Sequence, residues 1–302
     1  MKQTVSNDRL STYLGFASVV IFAVSPAFTR TLAESLSTFT SGAIVNIAAG
    51  LLMLVYRRKT CPLCPLRSTT KRYWLLCATS FLAFTLLCNL AVGLSPTREI
   101  AVISSMVRTM WPLAALLLTI PIHHAKARPT LLLGVLACFA GVVLANLSGE
   151  GLSGVSLSGL LLPLLLSAAA SLCWGVYSNY LPLTAEEPSM DYLPVITLLA
   201  GGFQLCGALL TGETILHFGF SEIWQLLFVA VFTGLLANCF WNRAMQGGGR
   251  LKVIVFSNLT PALSTVTTTW LLGLRLRLPV VLGSLLVVFG TLWSKRCFYQ
   301  EN

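Results

Sequence analysis

An arginine and a proline four residues apart, Arg108 and Pro112, lie inside a run of apolar residues with Trp111 between them. A charge near the middle of a membrane-spanning helix costs roughly 2.5 to 3.5 kcal/mol on insertion scales, so Arg108 must face a wet cavity or a partner. Proline disrupts the bond to the carbonyl four residues earlier, here that of Arg108 itself, so a kink and an open backbone acceptor are expected beside the cation. A solute carboxylate or phosphate fits a guanidinium in such a place. The alternatives are an internal ion pair or snorkelling of the side chain to an interface. Trp111, Trp174, Tyr177 and Trp241 could form flat walls for an aromatic ring, or pack and sit at the interface as membrane aromatics commonly do. Asn89, Asn238, Asn242, Ser257 and Asn258 carry hydrogen-bonding groups to membrane depth, where an unpaired polar group is costly, and each serves either a solute or a bond between helices. Pro261 repeats the Pro112 pattern, and both prolines are expected to act as hinges.

Other chemistries find less support. No G-x-x-x-x-G-K-[ST] occurs, so no P-loop is encoded, and Gly247-Gly-Gly-Arg250 reads as a turn between helices. Glu34, Glu99, Glu213 and Glu222 lie near the ends of apolar runs, which argues against a carboxylate proton relay and for passive facilitation or exchange. No nucleophile and base stand at suggestive spacing, so an enzyme is not expected. Cys61-Pro-Leu-Cys64 is a C-x-x-C that could be a redox pair or half of a zinc site, but it lacks a nearby His or second pair. The cysteines within apolar stretches read as small core residues.

The elements that position these residues follow from composition. Only 10% of the 302 residues are charged and 56% are hydrophobic, against roughly 25% charged in globular chains, so the chain is lipid-embedded. The net charge of +10 is carried by short clusters between apolar runs, which marks topology and not nucleic-acid binding. Windows of about 20 apolar residues give spans at 12–31, 38–56, 73–93, 100–121, 129–147, 157–180, 192–212, 221–244, 251–273 and 278–295. The first is expected to be a mature helix and not a cleaved leader, because no small-x-small site follows and it has a counterpart later in the chain. With the N-terminus inside, the cytoplasmic face collects most Lys and Arg, while the other face has only Arg30, Arg98, Arg275 and Arg277. Both termini are then cytoplasmic. The acidic loop at Glu186, Glu187 and Asp191 carries little weight in that rule.

The halves repeat. Gly134, Gly141 and Pro112 match Gly283, Gly290 and Pro261 at one common offset of 149 residues. The unit is five helices, residues 1–150 and 151–302. An odd unit enters the membrane from the opposite side in its second copy, the inverted repeat that places a solute site near the midplane. Glycines seven apart share one helix face, so these pairs are expected to mark close packing of the fifth and tenth helices or their neighbours.

Ser105-Met-Val-Arg-Thr-Met-Trp-Pro112 resembles the fourth-helix motif of the aromatic amino acid exporters of the drug/metabolite transporter superfamily, EamA type. Trp241-Asn242 followed by Ser257-Asn-Leu-Thr-Pro261 resembles the matching eighth- and ninth-helix motif. The resemblance implies an all-α polytopic membrane protein with ten transmembrane helices in two inverted five-helix repeats. It implies cytoplasmic termini, a central cavity between the halves, and transport without a bound cofactor. It assigns cavity positions to Trp111 and Trp174, and alignment adds Phe84 and Cys88. The family usually carries a neutral amide where this chain has Arg108. The expected partners are a small solute and the bilayer of the inner (plasma) membrane, with the chain acting as a monomer. Aromatic amino acids are the first cargo class; an adenine metabolite such as S-adenosylmethionine stays open, because aromatic walls accept a purine equally well. A non-transporting membrane scaffold is a further alternative.

Overall fold

The bilayer core holds no water to pair with backbone groups, so a chain of apolar runs must satisfy its N–H and C=O groups internally. The computed structural model, which describes residues 2–60, 71–146, 154–184, 192–215, 217–246, 253 and 256–298, is all-helical apart from turns and one isolated Ala127–Phe298 bridge. Helices α1 (Lys2–Leu36) and α2 (Thr38–Thr60) are followed by a π-helical turn, Tyr73–Ala78, that continues into α3 (Thr79–Gly93). Next come α4 (Arg98–Arg108), α5 (Trp111–His123), α6 (Leu131–Asn146), α7 (Leu157–Thr184) and α8 (Leu193–Thr211). The helix α9 (Phe220–Phe228) runs through a π-helical segment, Val229–Ala237, into α10 (Asn238–Gln246), and α11 (Thr260–Leu271) and α12 (Leu278–Arg296) complete the order. Among the described residues eight continuous stretches are long and apolar enough to cross a membrane, and Leu131–Ala145 is a shorter apolar helix. Of the span expected at 251–273, the described part is residue 253 and everything from 256 onward.

Small residues decide which helices meet. The α6 helix lies along α12, and a methyl added at Gly141 would stand 2.5 Å from Gly283 O, one at Gly290 2.5 Å from Gly134 O. The four glycines expected to mark close packing therefore face one another, backbone to backbone. Likewise α2 lies along α8, with Gly201 against Ile47 and Gly50 against Leu198.

Side-chain contacts give the helix directions. Phe81 meets Tyr177 and Phe84 meets Trp174, so α3 and α7 are antiparallel. Ser171 bonds the carbonyls of Val107 and Arg108 and Asn179 that of Ala115, so α4–α5 runs with α7. Thr31 donates to Gln225 and Ser35 to Glu222, so α1 and α9 are antiparallel. Arg30 reaches Val92 O and Ser95 O, joining the C-terminal ends of α1 and α3. It follows that α4–α5 and α9–α10 point the same way. At the end of the bundle away from residues 2 and 298, Glu34 pairs with Arg30 at 2.8 Å and Arg98 at 2.6 Å. Arg98 also holds Leu272 O at 3.1 Å. Glu213 accepts from Phe39 N at 3.0 Å and Thr40 N at 2.8 Å, neutralising the positive end of α2.

Candidate functional site: a central cavity

The fourth span is not kinked at Pro112 but broken. Helix α4 stops at Arg108, Thr109 and Met110 turn with ψ near zero, and α5 restarts at Trp111 with Pro112 in its first turn. The carbonyl that Pro112 cannot use is that of Arg108, and Ser171 Oγ donates to it at 2.7 Å. One hydroxyl from α7 thus satisfies the freed acceptor. Thr109 Oγ1 donates to Ser105 O at 3.0 Å and Met106 O at 2.9 Å, closing the end of α4.

The break aims Arg108 and Trp111 into a cavity of about 160 Å³ between α1, α2, α3, α7, α8 and the α9–α10 stretch. Among the described residues its lining includes no Asp or Glu, and Arg108 is the single charged residue there. Arg108 Nε is buried without a hydrogen-bond partner, and the ion pairs among the described residues do not involve this side chain. Cys88 stands beside the guanidinium. Three more buried polar atoms on the lining lack partners: Trp174 Nε1, Thr197 Oγ1 and Thr233 Oγ1. Polar atoms without partners are costly in a dry interior, so their convergence on one cavity marks a place for a polar solute.

Aromatic rings wall one side. Trp111 meets Trp241 edge-on with centroids 5.2 Å apart and Trp174 at 5.9 Å, while Phe84 lies 4.6 Å from Trp174. Behind this wall the packing continues through Tyr177, Tyr73 and Tyr192 into the main hydrophobic core. The opposite side is polar. Asn46 donates to Gly42 O and to Gln204 Oε1, both at 2.9 Å, and Asn89 to Thr38 O at 2.7 Å. Gly42 permits this: a Cβ there would lie 2.5 Å from Gln204 Oε1.

The fold brings Phe84, Cys88, Arg108, Trp111 and Trp174 together on the lining, with Trp241, Asn89 and Asn238. Tyr177, Ser257 and Asn258 are buried and not on it, although Thr260, three residues after Ser257, is. Pro112 and Pro261 each sit at the second position of a helix behind the lining. The Asn242 side chain, Cys61, Cys64, the loop with Glu186, Glu187 and Asp191, and Gly247–Arg250 lie outside the described residues. The residues overlooked from sequence are Asn46, Thr197 and Thr233. For Asn46 a signal existed, an amide in the middle of an apolar run; a threonine can bond its own helix, so its type alone says nothing.

Residues 161–295 match the EamA-like transporter family. That family points to a transporter and not an enzyme, and the match covers the second half of the chain. Over 165 residues the chain is 26% identical to the "Uncharacterized transporter YyaM" of Bacillus subtilis (strain 168), a stretch spanning 53% of this chain and 53% of that protein. The chain thus aligns with about half the length of this curated relative. A solved crystal structure superposes with a TM-score of 0.67 over 95% of this chain and 96% of its own, at 17% identity. At that identity the likeness shows a shared fold alone, and it extends over both halves.

Proposed function

We propose that this chain is a ten-span transporter of two inverted five-helix repeats, 1–150 and 151–302, that exports or exchanges aromatic and hydrophobic amino acids by alternating access. The observation that carries the reading is Arg108: a guanidinium with an unpartnered Nε, in a cavity with no acidic residue among the described residues, flanked by Trp111 and Trp174. Arg108 holds the carboxylate by charge-assisted hydrogen bonds, and the aromatic wall takes the apolar side chain. Phe84 and Cys88 complete that wall. Asn242, Ser257 and Asn258 belong to the matching region of the second half, and Tyr177 supports Trp174 from behind.

The glycine contacts support the inverted repeat. Exchanging the halves by the offset turns the contact of Gly134 with Gly290 into that of Gly283 with Gly141, which is the other contact found. Such a pairing is what a two-fold axis across the helices produces. Pro112 and Pro261 are then equivalent hinges for rocking one half against the other. The bias of Lys and Arg supports cytoplasmic termini in an inner (plasma) membrane. A lone cation in the lining disfavours a cationic cargo such as S-adenosylmethionine. Purified protein in liposomes, assayed for counterflow of labelled amino acids, nucleosides and S-adenosylmethionine, tests this. Saturable uptake of an aromatic amino acid, with a half-saturating concentration that Arg108→Ala raises at least about tenfold, is expected; uptake of an adenine metabolite alone would replace the reading.

A further inference from the structure

Asn238 follows the π-helical segment Val229–Ala237, whose turns are wider than those of an α-helix. Its amide nitrogen donates to two carbonyls of that segment, Thr233 O at 3.1 Å and Gly234 O at 2.8 Å. Backbone carbonyls only accept, so this pairing fixes which way the amide faces. The amide nitrogen is turned back onto the helix, and Oδ1 is what Asn238 offers to the cavity it lines. Among the described residues nothing donates to that oxygen.

Its level in the cavity follows from the helix directions. Asn238 precedes Trp241 by three residues, as Arg108 precedes Trp111, and the two rings meet at 5.2 Å. Because α4–α5 and α9–α10 point the same way, the Cα atoms of Asn238 and Arg108 stand on the same side of that ring contact. Each is about one helical turn from it, roughly 5 Å. Asn46 has also spent its amide nitrogen, but it is farther off. It lies one turn before Ala49, which packs on Gly234, itself one turn before Asn238. That is roughly 10 Å along the axis. Asn89 has spent its nitrogen too, on Thr38 O, and follows Cys88 on α3 in the first half of the chain, which also holds Arg108; Asn238 is the amide that faces Arg108 from the second half and is placed to share a small group with it.

An α-amino acid carries its carboxylate and ammonium on one carbon. Among the described residues the lining has no carboxylate to receive the ammonium. A neutral carbonyl oxygen accepts from it and leaves the Arg108 charge intact for the carboxylate. We propose that Asn238 is the residue by which this cavity distinguishes α-amino acids from plain carboxylates, its Oδ1 accepting from the ammonium while Arg108 holds the carboxylate. This rests on the transport reading above.

The test compares L-phenylalanine with 3-phenylpropionate, which lacks only the amino group, by quenching of tryptophan fluorescence in the purified full chain. Wild type is expected to bind L-phenylalanine about tenfold more tightly, the scale of one charge-assisted hydrogen bond. Asn238→Leu should weaken L-phenylalanine about tenfold and leave 3-phenylpropionate within about twofold. Asn238→Asp, which places a charge opposite the ammonium and repels the plain carboxylate, should widen the preference. Equal losses for both ligands in both variants would mark the amide as structural and overturn the proposal. Equal affinity of wild type for the two ligands would also overturn it while leaving the carboxylate assignment standing; failure of wild type to bind either would overturn both.

Discussion

The two proline breaks share a backbone device and differ in chemistry. Pro112 disengages the carbonyl of Arg108, and Ser171 on a neighbouring helix donates to it. Pro261 does the same to Ser257, and Thr260 donates to it from within the same turn. At equivalent positions of the repeat stand Arg108 and Ser257, then Trp111 and Thr260. Ser257 is fully buried, whereas the Arg108 guanidinium reaches the cavity. The two breaks stand at one sequence offset, so each half of the chain carries an interrupted helix at the same place. A single cation suffices for one carboxylate, and a second would repel the first across a small cavity.

The sharpest way to break this comparison is to exchange charge for none. Arg108→Ala is expected to raise the half-saturating concentration for counterflow of an aromatic amino acid by about ten- to a hundredfold. Ser257→Ala should change it by less than about twofold. Similar losses in both would mean that the halves share the binding task.

The glycine seam between α6 and α12 is the opposite case, since there the halves act alike. Gly141→Ala forces a methyl onto the backbone of Gly283, and Gly290→Ala one onto that of Gly134. Each should destabilise by about 1 to 3 kcal/mol, as overpacking does, seen as a lowered midpoint in thermal unfolding in detergent. Gly202→Ala, with open space around it, should stay within about 0.5 kcal/mol of wild type.

A smaller effect separates the two breaks themselves. Ser171→Ala strands the Arg108 carbonyl, which should cost about 1 to 2 kcal/mol in the same unfolding assay. Thr260→Val should cost less, about 1 kcal/mol, because its partner lies in its own turn and the isostere keeps the packing. The smallest change is expected for Glu213→Gln at the start of α2. The side chain still accepts from Phe39 N, and the loss of charge at the helix end is worth about 0.3 to 1 kcal/mol.

Much of this protein is written in its sequence because a bilayer leaves few choices. Apolar runs of sufficient length must be helices there, and glycines at a seven-residue spacing with a common offset named the α6–α12 seam. Proline chemistry named the Arg108 carbonyl as a freed acceptor, though not the Ser171 hydroxyl that donates to it. The expected set of site residues separated only on folding. Residue type says that Asn238, Asn258 and Ser257 are polar at depth, but not which faces open space. Trp174 and Tyr177 are three residues apart on one helix, yet only Trp174 reaches the cavity.

Sequence alone thus determined the helices and the presence of a cation that needs a partner, since each depends on the cost of leaving polar groups in lipid. Tertiary structure decided what that cation faces. Whether an amide offers its oxygen or its nitrogen depends on which backbone carbonyls happen to lie beside it. Those neighbours come from helix packing and the π-helical turn, neither of which is set by residues adjacent in the chain.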